Sequence, residues 1–349
     1  MSRRDSARRG AAALVAAAGL MVLAACGGGS APTAGTGAAT GPVDPAAAAA
    51  EGEIVLYTPT VDASNTALVK AFNAKYASIK VTINKQGDSA LTPLVEAESQ
   101  TGKGVGDVYL TADPGFIPKH VDMLAPIQST ARKDPAYSPY VSRDAKSVVV
   151  QVTPYGLAWN TKTVPGGLKS WNDLATLDPA LRIGVDDPSV AIAAGGWMYL
   201  MNQKFGPELL CNMAGAHKVN LYPNSSTMQQ ALASGEIDVG MPALSTVNAL
   251  KASGAPIDVA FPDPVFAPTI SATVLKTAPH PQAAQLFVDF ALSAEGQQAF
   301  NAGVYSVPSG IPGTLGNISQ IADRIDTSAI SAADMKSTAT NFAQCRTKS

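Results

Sequence analysis

Short runs of β-forming residues alternate with segments of helical periodicity along most of this chain. That alternation restricts the fold more than any other feature. Ile54-Val55-Leu56-Tyr57 reads as a first strand, and Asn65 to Tyr76 as a helix with Leu68, Val69, Phe72 and Tyr76 on one face. Val81-Thr82-Ile83 is a second strand. Ser89 is placed as an N-cap, with Leu91, Leu94, Val95 and Glu98 continuing at helical spacing. Val108-Tyr109-Leu110 gives a third strand, ending at Asp113-Pro114. A β-α-β-α-β order predicts an α/β fold with a mostly parallel sheet and helices on both faces.

A second set begins after Lys146. Val148 to Val152, Gly156 to Trp159 and Ile183-Gly184-Val185 are extended, the last running into Asp186-Asp187-Pro188-Ser189. Ala191 to Phe205 is helical, and Ser225 or Ser226 is placed as the cap of a short helix containing Met228 and Leu232. Ile237 to Met241, Ile257 to Phe261 and Ser271 to Leu275 read as strands. Helices over Gln282 to Ala291 and Ala294 to Ala302 follow, the first opened by Pro281.

The first 52 residues have a different character. Arg3, Arg4, Arg8 and Arg9 precede an apolar run from Ala11 to Ala25, which is too short to span a bilayer of about 30 Å as a helix. Leu23-Ala24-Ala25-Cys26 then reads as a lipobox, so residues 1–25 are expected to be a lipoprotein signal and Cys26 the acylated residue. Residues 26–52 are rich in Gly, Ala, Pro, Ser and Thr, and are expected to form a flexible linker to the folded part. The protein is accordingly expected outside the cytoplasm, lipid-anchored to the outer face of a bacterial cell membrane.

Of the three cysteines, lipidation of Cys26 leaves Cys211 and Cys345. In an oxidising compartment two such thiols are expected to pair. The chain carries 25 Lys+Arg and 27 Asp+Glu, and without the four Arg and one Asp of residues 1–25 the balance falls to about −5. No basic block remains, which argues against nucleic acid as a partner.

Several segments resemble, in family order, the solute-binding proteins of ABC importers. Asp107-Val108-Tyr109-Leu110-Thr111-Ala112-Asp113 is similar to their "DVF-x-x-x-D" strand end, and Tyr155 to Thr161 to their apolar crossover strand. Ser170-Trp171-Asn172-Asp173-Leu174 matches "SWxDL", Gly235-Glu236-Ile237-Asp238-Val239-Gly240 matches "GEIDxG", and Pro279 to Phe300 matches the late helix pair with its "S-x-E-G-Q" joint. The resemblance is to the ferric-ion and phosphonate branch of family 1, with the type II periplasmic binding fold. It implies two α/β lobes with a ligand cleft between them, residues 53–150 plus 270–310 forming one lobe and 151–269 plus 311–349 the other. The chain crosses near Val150 to Gly156 and returns near Ala267 to Ala272. It also implies a monomer without a cofactor that delivers a small-molecule solute to an ABC permease and its ATPase.

In such sheets, ligands sit beyond the carboxyl ends of the strands, where helix N-termini favour anions. The turns there hold Thr58, Thr60, Asn65, Asp88, Ser89, Asp113, Asp187 and Ser189, with Ser89 and Ser189 the expected pair for an oxyanion. Tyr57, Tyr155 and Tyr222 are candidates for ring or hydroxyl contacts, whereas Trp197 is placed in the core. Ferric-binding relatives carry adjacent tyrosines after "GEIDxG", where this chain has Pro242-Ala243-Leu244-Ser245. Ser245 and Thr246 become hydrogen-bonding candidates instead. The ligand expected is a small polar anion or zwitterion, phosphonate or phosphate-ester-like, with Asp113 or Asp187 meeting any ammonium. Iron held through a chelator or with anion assistance is the alternative, and a non-transport lipoprotein binding an envelope polymer or protein is another. An enzyme is not expected. His120, His217 and His280 are widely spaced, no G-x-S-x-G, H-E-x-x-H or C-x-x-C occurs, and a cap before Pro188 explains Asp186-Asp187 more simply than an acid–base pair.

Overall fold

The computed structural model describes residues 42–113, 115–243, 247–321 and 331–347. The signal segment, Cys26, Ser245 and Thr246 lie outside the described residues. The first run of elements is α1 (Pro45–Glu51), β1 (Glu53–Thr58), α2 (Asp62–Lys75), β2 (Lys80–Lys85), α3 (Asp88–Thr101), β3 (Val108–Thr111), α4 (Phe116–Lys119), β4 (Leu124–Ala125) and β5 (Ser147–Val152). Next come β6 (Leu157–Asn160), β7 (Ile183–Asp186), α5 (Ile192–Phe205), α6 (Glu208–Ala216), β8 (Val219–Tyr222), α7 (Ser225–Ser234), β9 (Val239–Gly240), α8 (Val247–Ala252) and β10 (Ile257–Ala260). The last run is β11 (Thr269–Leu275), α9 (Pro281–Leu292), α10 (Ala294–Phe300), β12 (Tyr305–Ser306), β13 (Gly316–Asn317) and α11 (Ala332–Arg346). No helix among the described residues is long and apolar enough to cross a membrane.

These strands make two sheets. One has the order β13-β12-β5-β11-β3-β1-β2, with β4 also on β11, and the other has the order β10-β6-β9-β7-β8. The expected parallel pairing holds for β1 with β2 and β3, and for β7 with β8 and β9. Both sheets are nevertheless mixed. β11 returns from the second sheet and runs antiparallel between β3 and β5, and β6 pairs antiparallel with β9 and β10. A chain that enters and leaves each sheet on neighbouring strands must reverse direction there, a consequence that β-α-β counting does not capture.

Side chains alternate between faces with the two-residue period of a strand. On the first sheet Ile54, Leu56, Val108 and Leu110 pack with Leu68, Phe72 and Phe287, whereas Tyr57 and Tyr109 face Leu91, Val95 and Phe116 on the other side. On the second sheet Ile183, Val185 and Val239 pack with Trp197, Met198 and Met213, and Ala158 and Tyr222 face Met228 and Leu232. Trp197 is core, as expected.

Two stretches depart from the sequence reading. The linker expected to reach residue 52 ends in α1, with Asp44 accepting the Ala46 N–H at 2.9 Å, Pro45 in the first turn and Gly52 closing the helix at φ +76°. Alanine is the strongest helix former, and a small residue suffices to pack closely: Ala48 is fully buried in the first core. Glu51 then accepts the Gln282 and Ala283 N–H groups at 3.1 and 2.7 Å, capping α9. The tail also divides. β13 pairs with β12 and Ile318 and Ile321 join the first core, so residues 311–321 do not go with the second sheet. α11 does, through Phe342.

Cys211 on α6 and Cys345 on α11 form the expected disulfide across a sequence separation of 134. The bond restrains a long loop of the unfolded chain. Replacing both cysteines by serine is expected to lower stability by about 2–4 kcal/mol in chemical denaturation, with no further loss on adding reductant.

Candidate functional site

The parallel strands of each sheet end on the same side, and the turns that follow them enclose a cavity of about 310 Å³. Its walls come from the turns after β1 (Thr60), β2 (Gly87) and β3 (Ala112), and from the ends of β7 (Asp186) and β8 (Asn224). The chain segments that pass between the sheets supply Thr153, Tyr155 and Pro268. The cavity is thus lined by strand ends, by the helix starts that follow them and by the two crossings.

Three 14-residue helices begin at this cavity. The N-cap residues of α2, α3 and α5 are Val61, Gly87 and Ala191; all three line it, and none makes a side-chain cap hydrogen bond. The first N–H groups of a helix lack intrahelical partners, and the aligned peptide dipoles place partial positive charge there. Two of these termini follow strands of the first sheet and one follows a strand of the second. An oxyanion between them would draw on both sheets.

The same cavity holds two buried carboxyl groups. Asp88 opens α3, and its Oδ1 accepts hydrogen bonds from the Tyr109 hydroxyl at 2.5 Å and from Thr111 at 2.8 Å. Its Oδ2 accepts the Ala112 N–H at 3.3 Å. Burial raises its pKa, partly offset by these donors. Asp186 ends β7 and is 3% exposed. Its Oδ2 accepts the Ser225 hydroxyl, and the Tyr155 hydroxyl at 3.4 Å, while Oδ1 has no partner. Ser225 in turn accepts the Ala243 N–H at 3.2 Å. Burial pushes the Asp186 carboxyl up to about 7. The Tyr155 hydroxyl is driven far above the usual phenol range by burial and by Asp186. Among the described residues, no group of three or more His, Cys, Asp or Glu side chains could hold a metal ion.

Of the residues singled out from sequence, Thr60, Asp88 and Tyr155 line this cavity. Thr58 stands behind Thr60, its hydroxyl accepting the Thr60 N–H at 3.1 Å and donating to Asn65 Oδ1 at 3.2 Å, so it shapes the turn. Ser89 and Ser189 are exposed and do not share a cavity. The cap of α3 is Gly87, not Ser89, and that of α7 is Asn224, which accepts the Thr227 N–H, not Ser225 or Ser226. Asp113, Asp187 and Ser189 border a separate cavity of about 640 Å³ closed by α11. Asp113 and Asp187 accept the Gly115 and Ser189 N–H groups, both at 2.8 Å, in local turns. Tyr57 donates to Glu98 at 2.6 Å and Tyr222 to Glu236 at 2.9 Å, outside the cavity. Asp186 and Ser225 were readable only as caps. The signal that separates Asp186 from Asp187 is strand alternation: Val185 enters one core, so Asp186 shares the opposite face with Gly184, near Met228 of α7.

The Asp186 carboxyl titrates near 3.8 in its ordinary state and near 7 here, so folding takes up a proton between those values. Its contribution to stability is complete below about pH 4 and is lost as the pH rises through 7. Without ligand, the wild type is expected to lose stability relative to Asp186→Asn between pH 4 and pH 8, by a few kcal/mol at most. Calorimetric melting across that range checks it, and a gap independent of pH refutes it.

Over residues 54–303 the chain matches the family described as bacterial extracellular solute-binding protein. An uncharacterized protein of Haemophilus influenzae is 28% identical over 279 residues, 71% of this chain and 75% of that protein. Among solved structures, the periplasmic binding protein AfuA from Actinobacillus pleuropneumoniae, with fructose-6-phosphate bound, superposes with a TM-score of 0.63 at 21% identity, over 85% of this chain and 97% of that one. Iron-bound HitA from Pseudomonas aeruginosa gives 0.62 at 22% identity, over 85% and 98%. These likenesses are of fold, and they agree with the two-lobed architecture that the motifs implied. The chain belongs to the bacterial extracellular solute-binding proteins, the extracytoplasmic substrate-binding components of ABC importers.

Proposed function

We propose that this protein captures a small phosphorus oxyanion, a phosphonate or phosphate ester, between its two sheets and hands it to an ABC permease driven by an ATPase. The observation that carries this reading is the meeting of three uncapped helix N-termini from both sheets at one cavity. The fructose-6-phosphate of AfuA supports it, since a phosphate ester is the same chemistry on the same fold.

Ligand-driven closure is the mechanism. Thr60 and Asp88 approach the solute from the first sheet, and Asp186 and Asn224 from the second. A solute that touches both sets binds the closed form better, and that difference shifts the open–closed equilibrium. A bias of about 5.5 kcal/mol takes closure from 1% to 99%. The signal segment and Cys26 give the tether in this reading, with residues 1–25 removed and Cys26 acylated.

Iron-bound HitA raises direct ferric binding as the alternative. Among the described residues Tyr155 is the one phenol lining this cavity, and Pro242-Ala243-Leu244-Ser245 stand where ferric-binding relatives carry adjacent tyrosines, so the chain lacks that phenolate pair for Fe(III). The phosphorus reading is therefore favoured.

A melting-temperature panel tests it. Methylphosphonate, fructose-6-phosphate, molybdate, ferric citrate and spermidine are each added to the purified protein. Stabilisation by a phosphorus oxyanion, with a smaller radius of gyration in solution scattering, is the expected result. Stabilisation by ferric citrate or spermidine alone would exclude the proposal.

A further inference from the structure

Asp186 is a buried carboxyl group whose oxygens are unequally served. Oδ2 takes hydroxyl donors from Ser225 and Tyr155, and Oδ1 takes none. A buried polar atom without a partner costs about 1–3 kcal/mol, more when charged, and native structures hold few of them. Of the seven such side-chain atoms among the described residues, Asp186 Oδ1 is the one on a residue that lines the cavity, where a ligand can supply the partner.

The charge balance of the cavity narrows that partner's chemistry. Asp88 and Asp186 line it from opposite sheets, and their hydrogen-bond donors are hydroxyls and one backbone N–H. Buried carboxylates are ordinarily matched by a cation. Among the described residues the one Lys or Arg lining this cavity is Lys85, whose ammonium is bonded to Asp62 at 3.0 Å. The protein thus brings two acids and no committed cation into a cavity whose helix termini already favour an anion.

Resting on the phosphorus-oxyanion reading above, we infer that the solute also carries an ammonium group, which donates to Asp186 Oδ1 while the oxyanion lies against the N-termini of α2, α3 and α5. The ligand class is an aminoalkyl phosphonate or an amino phosphate ester, a zwitterion whose two charges match the two kinds of wall. Asp186 is the specificity-determining residue, and Ser225 and Tyr155 hold its carboxyl in place. The ammonium bridges from the second sheet to an anion held partly by the first, so it also contributes to closure.

The test compares 2-aminoethylphosphonate with propylphosphonate, in which a methyl group replaces the ammonium at nearly constant shape. Titration calorimetry is run on the full chain and on Asp186→Asn, which keeps an oxygen acceptor for Ser225. In the wild type, 2-aminoethylphosphonate is expected to bind at least about tenfold more tightly, the scale of a hydrogen bond to a charged group. In Asp186→Asn that ratio is expected to collapse toward one. Equal wild-type affinities for the two probes would overturn the inference and leave the proposed function standing. A preference that survives in Asp186→Asn would overturn the role of Asp186. Tight binding of fructose-6-phosphate without binding of 2-aminoethylphosphonate would replace the ammonium by a sugar hydroxyl. Failure of every phosphorus anion would remove the proposed function and this inference together. Should Asp186→Asn not fold, the wild-type comparison alone still decides whether an ammonium is recognised.

Discussion

The pairing of the two chain segments that pass between the sheets is the constraint on which the rest depends. The Thr153 N–H donates to the Pro268 carbonyl at 3.1 Å and the Tyr155 N–H to the Phe266 carbonyl at 2.7 Å, so the outgoing and returning segments form a ribbon. The ribbon continues β5 and β11, which pair with each other inside the first sheet. Side chains fix its base: Gln297 and Asn301 both donate to the Val150 carbonyl at 3.0 Å, and Gln151 donates to the Phe300 carbonyl at 2.9 Å. A base this well satisfied confines bending to the few residues beyond it. Those same residues, with Thr153, Tyr155 and Pro268 among them, form the floor of the cavity.

The site departs from the habits of a stable interior. Cores bury apolar atoms and match their charges, yet here two carboxyl groups lie under cover with neutral partners. Elsewhere the same molecule follows the rule: Asp238 is held to Arg182 at 2.9 Å and lies below the usual carboxylate range. Asp107 caps the N–H groups of Val55 and His280 at 2.8 and 2.7 Å and faces the His280 ring. Glu98 is also buried without a cation, but the Tyr57 hydroxyl and the Val105 and Gly106 N–H groups serve both of its oxygens, whereas Asp186 at the cavity keeps one oxygen without a partner. Sites of this kind lower the stability of the empty protein and raise the gain on binding.

Much of the fold was legible because its strands and long helices bury one face and keep strict periods. The β1–β3 region, α5, α9 and α10 fall within a few residues of where periodicity put them. α1 was hidden because its burial rests on a single alanine, and the antiparallel course of β11 because pairing direction is a property of the whole chain path. The site was legible only in outline. Turns after strands pointed to Thr60 and Asp88, and the crossover strand to Tyr155, but residue types in a turn do not say which way a side chain faces. Asp187 and Asp113 spend their carboxyl groups on their own turns. Asp186, one residue earlier, is carried inward by the pleat of its strand. Ser225, taken for a cap, sits one position inside its helix and faces that carboxyl instead.

The disulfide between α6 and α11 bears on how the protein is made. Phe342 fills the core beside β7, and Cys345 closes a bond to a residue 134 positions earlier. The second sheet therefore cannot finish packing until residue 345 has emerged on the oxidising side. The first sheet waits less long: β13 supplies its last strand at Asn317, and Ile321 lies in its core. The two sheets thus draw on different lengths of chain, the first completed by residue 321 and the second only by the final helix.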